Sequence, residues 1–314
     1  MIDIHYFEDG EIRKGSVENL GALKLKQIWV DVTHITKEER DLLQNEFDLH
    51  PLTSEDLYSS NTRVKVEEFP NYLFCVFYGV EKNHGIHLYD VDMIIGNNFF
   101  ITNHTKAIES CSELKRNKDK LGDLFKKGPE FLLHYILDWE VDNYFSVLEY
   151  VDDHIDNMDK KIAKISKKED LMRILQLKQN LSVIRKTVFA QREKVSFLVK
   201  NNYKLISKKS LPYYRDVYDH AIRVSDKVDN ARESVMNTFD LYMSAVSNNT
   251  NEVMKVLSIF ATIALPLTAI SSIYGTNFLV LPGAQFKYGF WIMILIMAGV
   301  SVAFIYSFSR RGWF

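Results

Sequence analysis

Apolar positions in the first part of the chain follow the short spacing of strands, interrupted by helix-like stretches. Runs rich in β-branched and aromatic residues, each bounded by turn-forming residues, predict strands at 28–33, 72–80 and 93–102. Between them, 37–46 and 51–57 have the character of helices, and Pro51 occupies the first helical position of the second. We therefore predict a small α/β domain over residues 1–126.

From residue 127 onward the spacing of apolar positions is helical. Residues 127–211 read as an antiparallel helical hairpin with a break near Ser166, which is placed to cap the second arm. The following segment, 212–275, has no glycine before its last residue and a single interior proline, Pro266. It predicts one long helix, roughly 90 Å if continuous.

Two apolar runs near the end of the sequence, 256–274 and 290–308, contain no charged residue. Each is about long enough to cross a bilayer core, and the short segment 276–289 joins them as a loop. Arg310 and Arg311 begin a basic tail (309–314), whereas the loop holds only one lysine. Basic segments stay on the cytoplasmic side, so we predict a hairpin in the cell (inner) membrane with both chain ends in the cytoplasm.

One face of the first spanning helix is largely small and polar. Its positions step alternately by three and four residues, and we call them the polar stripe: Asn251, Met254, Ser258, Ala261, Leu265, Thr268 and Ser272. A surface facing lipid has no reason to be polar, so this face must meet another helix or water. The spacing alone leaves two alternatives open, which are helix packing and a water-filled pore within a ring of identical subunits.

The same stepping continues backward to Asp240, in the segment predicted to be cytosolic. A polar face there is ordinarily just solvated. In a ring of subunits, however, Asp240 would repeat around the cytosolic mouth and concentrate cations. The sequence leaves both interpretations open.

Composition and motifs narrow the function classes. A net charge of -2 and a pI near 6.5 argue against binding to nucleic acid. Cys75 and Cys111 lie far apart and show no metal-ligand spacing. The chain has no phosphate loop, no His-Glu-x-x-His motif and no nucleophile motif, so we expect no enzyme. A membrane-anchored cytosolic metal sensor without conduction is the alternative of another class, although an anchor would need neither Thr268 nor Asn251.

Several motifs occur in a fixed order along the chain. They are Gly275-Thr276-Asn277 after the long helix and the segments 50–56, 214–220, 250–257 and 266–268. Together they closely resemble the CorA family of magnesium and cobalt transporters over essentially the whole chain. The resemblance implies an α+β membrane protein with an N-terminal cytosolic α/β domain, a long helical stalk, a two-helix transmembrane hairpin and a funnel-shaped homopentameric assembly.

The resemblance also implies roles for particular residues. Gly275, Thr276 and Asn277 would form the outer mouth, where Asn277 holds the incoming hydrated ion. Thr268 and Asn251 would be polar pore positions, and the apolar constrictions would be formed by Met254, Leu257 and Leu265. Asp56 and Asp216 would form a regulatory cation site between subunits, with Glu55 beside it. Mg²⁺, possibly Co²⁺, would be both transported and regulatory.

The sequence departs from the family pattern at the outer mouth. Thr276 stands where the family signature has Met, and no Asp or Glu occurs after Glu252. An entering ion would therefore be recruited by neutral oxygens through its water shell, which suits Mg²⁺ because that ion dehydrates reluctantly. A transporter of Zn²⁺, Ni²⁺ or Co²⁺ from the same superfamily is the nearest alternative.

Overall fold

The computed structural model describes residues 1–59, 62–83, 85–162, 167–277, 281–283 and 286–313. It divides into two compact units. The first comprises Met1–Lys160 and Lys168–Phe239, and the second comprises Lys161–Lys167 and Asp240–Phe314.

A seven-stranded sheet forms the centre of the first unit. In chain order its strands are β1 (Ile2–Glu8), β2 (Glu11–Gly15), β3 (Gln27–Thr33), β4 (Lys65–Glu68), β5 (Tyr72–Lys82), β6 (Ile86–Gly96) and β7 (Phe99–His104). Their spatial order is β2-β1-β3-β7-β6-β5-β4. β3 and β7 pair in parallel, and the other neighbouring strands pair antiparallel.

The prediction of one strand over 93–102 is wrong, because the chain reverses within it. β6 ends at Gly96 and β7 begins at Phe99, and the two strands pair antiparallel with Ile95 opposite Phe100. A side chain at Gly96 would overlap the ring of Phe99, so the hairpin depends on the glycine. The β-rich composition on both sides of the turn made two strands look like one.

Helices cover both faces of the sheet. On one face lie α1 (Leu20–Leu23), α2 (Lys37–Phe47) and α3 (Pro51–Tyr58), and on the other lie α4 (Glu109–Arg116), α5 (Lys118–Lys127) and the start of α6 (Pro129–Ile162). Leu43 and Leu57 join Val30 and Ile101 in the core of the first face. The predicted helices at 37–46 and 51–57 are confirmed as α2 and α3. A capping box from Thr36 and Glu39 begins α2, because both side chains satisfy backbone N–H groups that the first turn leaves unpaired.

Three long helices follow the sheet, namely α6, α7 (Lys168–Lys200) and α8 (Leu211–Tyr274). Contacts between α6 and α8 advance in the same direction along both helices, from Glu130–Tyr214 to Glu149–Lys227, so the two helices run parallel. Between α7 and α8 the order is reversed, since Arg185 contacts Asp229 while Arg192 contacts Ser225.

α6 and α7 are therefore antiparallel, as predicted from the spacing of their apolar positions. The predicted helix cap at Ser166 lies outside the described residues.

The second unit contains the end of α8 and a final helix, α9 (Gly289–Arg310). The most apolar stretch of α8 has a mean hydropathy of 2.0 and is 6% buried. The corresponding stretch of α9 has a mean hydropathy of 2.2 and is 0% buried. Apolar helices without protein cover need another apolar environment, and both are long enough to cross a membrane. Pro266 lies inside α8 without ending it.

Candidate ion pathway and acidic clusters

The polar stripe is fully open on the surface of the chain. Each residue predicted to line a pore is exposed: Asp240, Asn251, Met254, Leu257, Ser258, Ala261, Leu265, Thr268 and Ser272. The two large apolar side chains of the stripe project from it, with Met254 53% and Leu265 69% exposed. The structure therefore gives the stripe one continuous accessible face.

The opposite face of α8 contacts α9. Ile270 and Tyr274 line an open pocket of about 160 Å³ with Met293 and Ile296 of α9, and Ser271 donates a hydrogen bond to the sulfur of Met297 at 3.9 Å. Ile270 lies two residues from Thr268, which places the two about 160° apart around the helix. The hairpin partner thus leaves the polar stripe uncovered, and the helix-packing alternative requires another subunit.

Thr268 is oriented by its own helix. Its hydroxyl donates to the carbonyl of Ala264 at 2.8 Å, so the proton points back along the helix and the oxygen lone pairs are available as acceptors. Thr262 makes the same bond, to the carbonyl of Ser258 at 2.7 Å, but it is half-buried and lies outside the polar stripe. The two threonines therefore differ in the face that they occupy.

The predicted outer mouth follows directly on the end of α8. Gly275 N–H donates to the Ser271 carbonyl at 2.9 Å, and the Thr276 hydroxyl donates to the Ile273 carbonyl at 2.8 Å. Asn277 comes next and is exposed. Tyr274 ties the helix end to the loop by donating to the Pro282 carbonyl at 3.1 Å.

The end of α8 offers negative potential where the loop has no acids. The last carbonyls of a helix carry a partial negative charge, which favours a nearby cation. The Thr276 hydroxyl donates its proton to one of these carbonyls, so the lone pairs of its oxygen remain available to accept hydrogen bonds. The arrangement can attract a hydrated cation through dipoles.

Asp56 lies on α3, and its carboxylate is already paired with the ammonium group of Lys65. Lys65 Nζ, from the edge strand β4, contacts Asp56 Oδ2 and also lies 3.2 Å from Glu67 Oε2. The side chain of Asp56 is 26% exposed, and Glu55 beside it is exposed. A cation thus has a favourable position at Asp56.

Asp216 belongs to a second acidic cluster, between α6 and α8. Its Oδ1 lies 3.8 Å from His220 Nε2, and the other ring nitrogen, Nδ1, lies 2.6 Å from Asp142 Oδ1 and 3.8 Å from Asp138 Oδ1. Burial, reinforced by the charge of Asp142, raises the pKa of Asp138. Asp138, Asp142 and His220 converge and offer ligand atoms that a divalent cation can use, whereas Asp216 meets the other ring nitrogen of His220.

The sequence analysis missed three residues of this cluster. Asp138 and Asp142 are spaced by four on α6, as Asp216 and His220 are on α8, so each pair was visible as one helix face. The missing information was that α6 and α8 lie side by side in parallel. Within the described part of the chain, the carboxylates of Asp56 and Asp216 do not contact each other.

A buried Asp31–His104–Cys111 group is the other collection of potential metal ligands among the described residues. Asp31 already has its partners, because Lys115 Nζ lies 2.6 Å from Oδ2 and His104 Nε2 lies 2.9 Å from Oδ1. Burial raises the pKa of Cys111 well above its ordinary value, which keeps it a thiol, whereas metals bind the thiolate. This group connects β3, β7 and α4.

The fold and the two exposed apolar helices define a membrane protein with a large extramembrane part. The family described as "CorA-like Mg2+ transporter protein" matches residues 25–311, and the chain belongs to this family of divalent cation transporters. The predicted family, the α+β membrane fold and the function in divalent cation transport are thereby confirmed.

Relatives of known name agree with this membership. The "Cobalt/magnesium transport protein CorA" of Thermotoga maritima is 37% identical over 292 residues, covering 91% of this chain and 83% of that protein. The "Putative metal ion transporter YfjQ" of Bacillus subtilis is 27% identical, with coverage of 95% and 93%. The solved CorA magnesium transporter of Methanocaldococcus jannaschii shares the fold with a TM-score of 0.88 at 22% identity, over 100% of this chain and 99% of that one.

Proposed function

We propose that this chain assembles as a homopentamer whose polar stripes surround a pore for Mg²⁺ in the cell (inner) membrane, with both chain ends in the cytoplasm. The main support is that the polar stripe is exposed along its whole length, on the side of α8 opposite α9. A single hairpin cannot enclose a lumen, so identical helices must close it. Lipid would leave the outward-facing acceptor positions of the Thr268 hydroxyl without a hydrogen-bond donor.

The ion is handled through neutral oxygens. Asn277 receives the hydrated cation beside the carbonyl end of α8, and Thr268 and Asn251 accept hydrogen bonds from its water shell. This outer-sphere recognition suits Mg²⁺, which keeps several waters when bound. Co²⁺ is the second candidate, because the similar Thermotoga maritima protein is a cobalt/magnesium transport protein by name.

Apolar positions close the pore. Leu265, Met254 and Leu257 are each more than half exposed, at 69%, 53% and 60%. In a ring they face one another, and a narrow apolar constriction excludes water and hence a hydrated ion. Asp240 repeats around the cytosolic end and concentrates cations there.

The cytosolic carboxylates gate this constriction. Asp216 of one subunit and Asp56 of its neighbour share a bridging divalent cation when cytosolic Mg²⁺ is high, with Glu55 adding negative charge. Both carboxylates are accessible, with Asp56 26% and Asp216 69% exposed, and carboxylate oxygen is the ligand that Mg²⁺ prefers. Without the cation the carboxylates repel each other and the subunits separate, because the cation favours only the closed arrangement.

Limited proteolysis of the full-length protein tests the gating site. Added Mg²⁺ should protect the wild type, and the double variant Asp56→Ala with Asp216→Ala should lose most of this protection. The control is Asp41→Ala with Asp123→Ala, which removes two exposed acids of the same unit and should leave protection intact. Full Mg²⁺ protection in the Asp56/Asp216 variant would contradict the assignment.

A further inference from the structure

Lys65 is held firmly beside Asp56. It begins the edge strand β4, where its backbone pairs with Val76 of β5, so its position is fixed by the sheet. Its ammonium lies 4.9 Å from the centre of the Phe74 ring, and its side chain is only 19% exposed. By comparison, Lys24 in its pair with Glu46 is 38% exposed.

The ion pair of Lys65 is partly shielded from water, because the side chain of Asp56 is itself only 26% exposed. A lysine amine carries its positive charge at neutral pH. Asp56 Oδ2 is the atom that it contacts.

A carboxylate oxygen that binds an ammonium is less available to a second cation. Whatever free energy stabilises the ion pair must be given up, wholly or in part, when a divalent ion binds the same carboxylate. We propose that Lys65 is a tethered competitor for Asp56, which raises the Mg²⁺ concentration needed to fill the cytosolic site. This inference rests on the proposed regulatory role of Asp56.

Glu67 modulates this competition with the opposite sign. Its Oε2 lies 3.2 Å from Lys65 Nζ, and its side chain is 48% exposed. Glu67 therefore shares the ammonium group with Asp56 and weakens the ion pair between Lys65 and Asp56. Removing the charge of Glu67 strengthens the hold of Lys65 on Asp56. Removing the charge of Lys65 frees Asp56. The two variants should therefore shift Mg²⁺ binding in opposite directions.

The test is the Mg²⁺ concentration that gives half-maximal protection from proteolysis in the full-length protein. Lys65→Met should lower this midpoint about threefold to tenfold, as expected for losing a partly buried ion pair. Lys65→Arg, which keeps the charge, should stay within about twofold, and Glu67→Gln should raise the midpoint by about twofold. Lys24→Met removes a more exposed lysine–carboxylate pair elsewhere in the unit and should leave the midpoint unchanged.

Asp56→Asn distinguishes a failure of the proposed regulatory site from a failure of the competition by Lys65. If it raises the Mg²⁺ midpoint while Lys65→Met leaves it unchanged or raises it, Asp56 is a ligand and the competition is refuted. If Asp56→Asn leaves the midpoint unchanged, the proposed regulatory site fails and the competition fails with it. Glu67→Gln keeps the pair of Lys65 with Asp56 intact, so a midpoint that stays or falls in that variant also refutes the competition, even if Lys65→Met folds poorly.

Discussion

Replacing Thr268 by Val tests whether the polar stripe carries the ion. The two side chains have nearly the same shape, so the substitution removes the hydroxyl and little else. In the subunit, that hydroxyl bonds only back to the carbonyl of Ala264, at 2.8 Å, and the residue is exposed. Loss of such a bond inside a helix changes stability little, so Thr268→Val should fold and assemble normally.

The expected loss of flux follows from the hydrogen bonds that disappear. In a ring of subunits, a hydrated ion presents its bound waters to several hydroxyl oxygens of Thr268. Each hydrogen bond is worth about 1 kcal/mol net, and two of them at a time amount to about 2 kcal/mol. Raising the barrier to passage by that amount slows flux about 30-fold.

Thr262→Val is the matched control for this measurement. Thr262 makes the same bond to the preceding turn, at 2.7 Å, and lies six residues away, about 120° around the helix from Thr268. Mg²⁺ entry into proteoliposomes, followed with an enclosed indicator dye, should fall strongly for Thr268→Val and change less than about twofold for Thr262→Val. Equal effects of the two variants, or full flux in Thr268→Val, would refute the pore-lining assignment.

Two further predictions concern the contact of α6 with α8. Tyr214 is fully buried, and its hydroxyl donates to the Glu130 carbonyl at 2.7 Å. Tyr214→Phe should therefore lower the free energy of unfolding by about 1 to 2 kcal/mol and the thermal midpoint by about 3 to 6 °C. Tyr213→Phe, at the exposed neighbour, should have no effect, and equal midpoints for the two variants would contradict this prediction. Burial lowers the pKa of His134 to about 4. In the unfolded chain His134 becomes protonated below about pH 6.5, whereas in the folded chain it stays neutral until the pH nears 4. The stability contributed by neutral His134 is therefore lost as the pH falls from 6.5 towards 4. Between pH 6.5 and 5 this amounts to about 2 kcal/mol, and thermal melts of His134→Gln should show a correspondingly flatter pH dependence, whereas an unchanged slope would contradict the assignment.

The long helices were predictable because their signals are local. α8 extends over Leu211–Tyr274, within one residue of the predicted segment at each end, since no glycine interrupts it. Pro266 did not end the helix, as is common for helices within membranes, where neighbouring groups satisfy the freed backbone. α9 likewise follows an uncharged apolar run.

The sheet was less predictable, because several of its strands are short and half-exposed. β2 (Glu11–Gly15) and β4 (Lys65–Glu68) carry charges at most positions and form the two edges, where one side of the strand meets solvent. Such strands lack the apolar alternation that a buried strand shows. β2 is nonetheless joined to its partner by a local signal, because Asp9-Gly10, both at positive φ, forms the two-residue turn between Glu8 of β1 and Glu11 of β2.

The same limit applies to the acidic residues of the first unit. Asp56 and Asp216 were predicted from the family resemblance, and their proposed roles remain predictions. Lys65 and His220 were not predicted, because their contacts depend on how β4 meets α3 and how α6 lies against α8. A charge nine residues along the chain from Asp56 has no sequence signature as its ion-pair partner.

The most direct test of the central claim is metal flux through the reconstituted protein with and without Asn277→Ala. Wild-type proteoliposomes should take up Mg²⁺, and the variant should lose most of this uptake while still assembling, because the exposed amide of Asn277 is proposed to receive the ion at the mouth of the pore. Competition by Co²⁺, Ni²⁺ and Zn²⁺ in the same assay identifies the preferred metal. Uptake that is absent in the wild type, or unchanged in Asn277→Ala, would contradict a pore entered at Gly275-Thr276-Asn277.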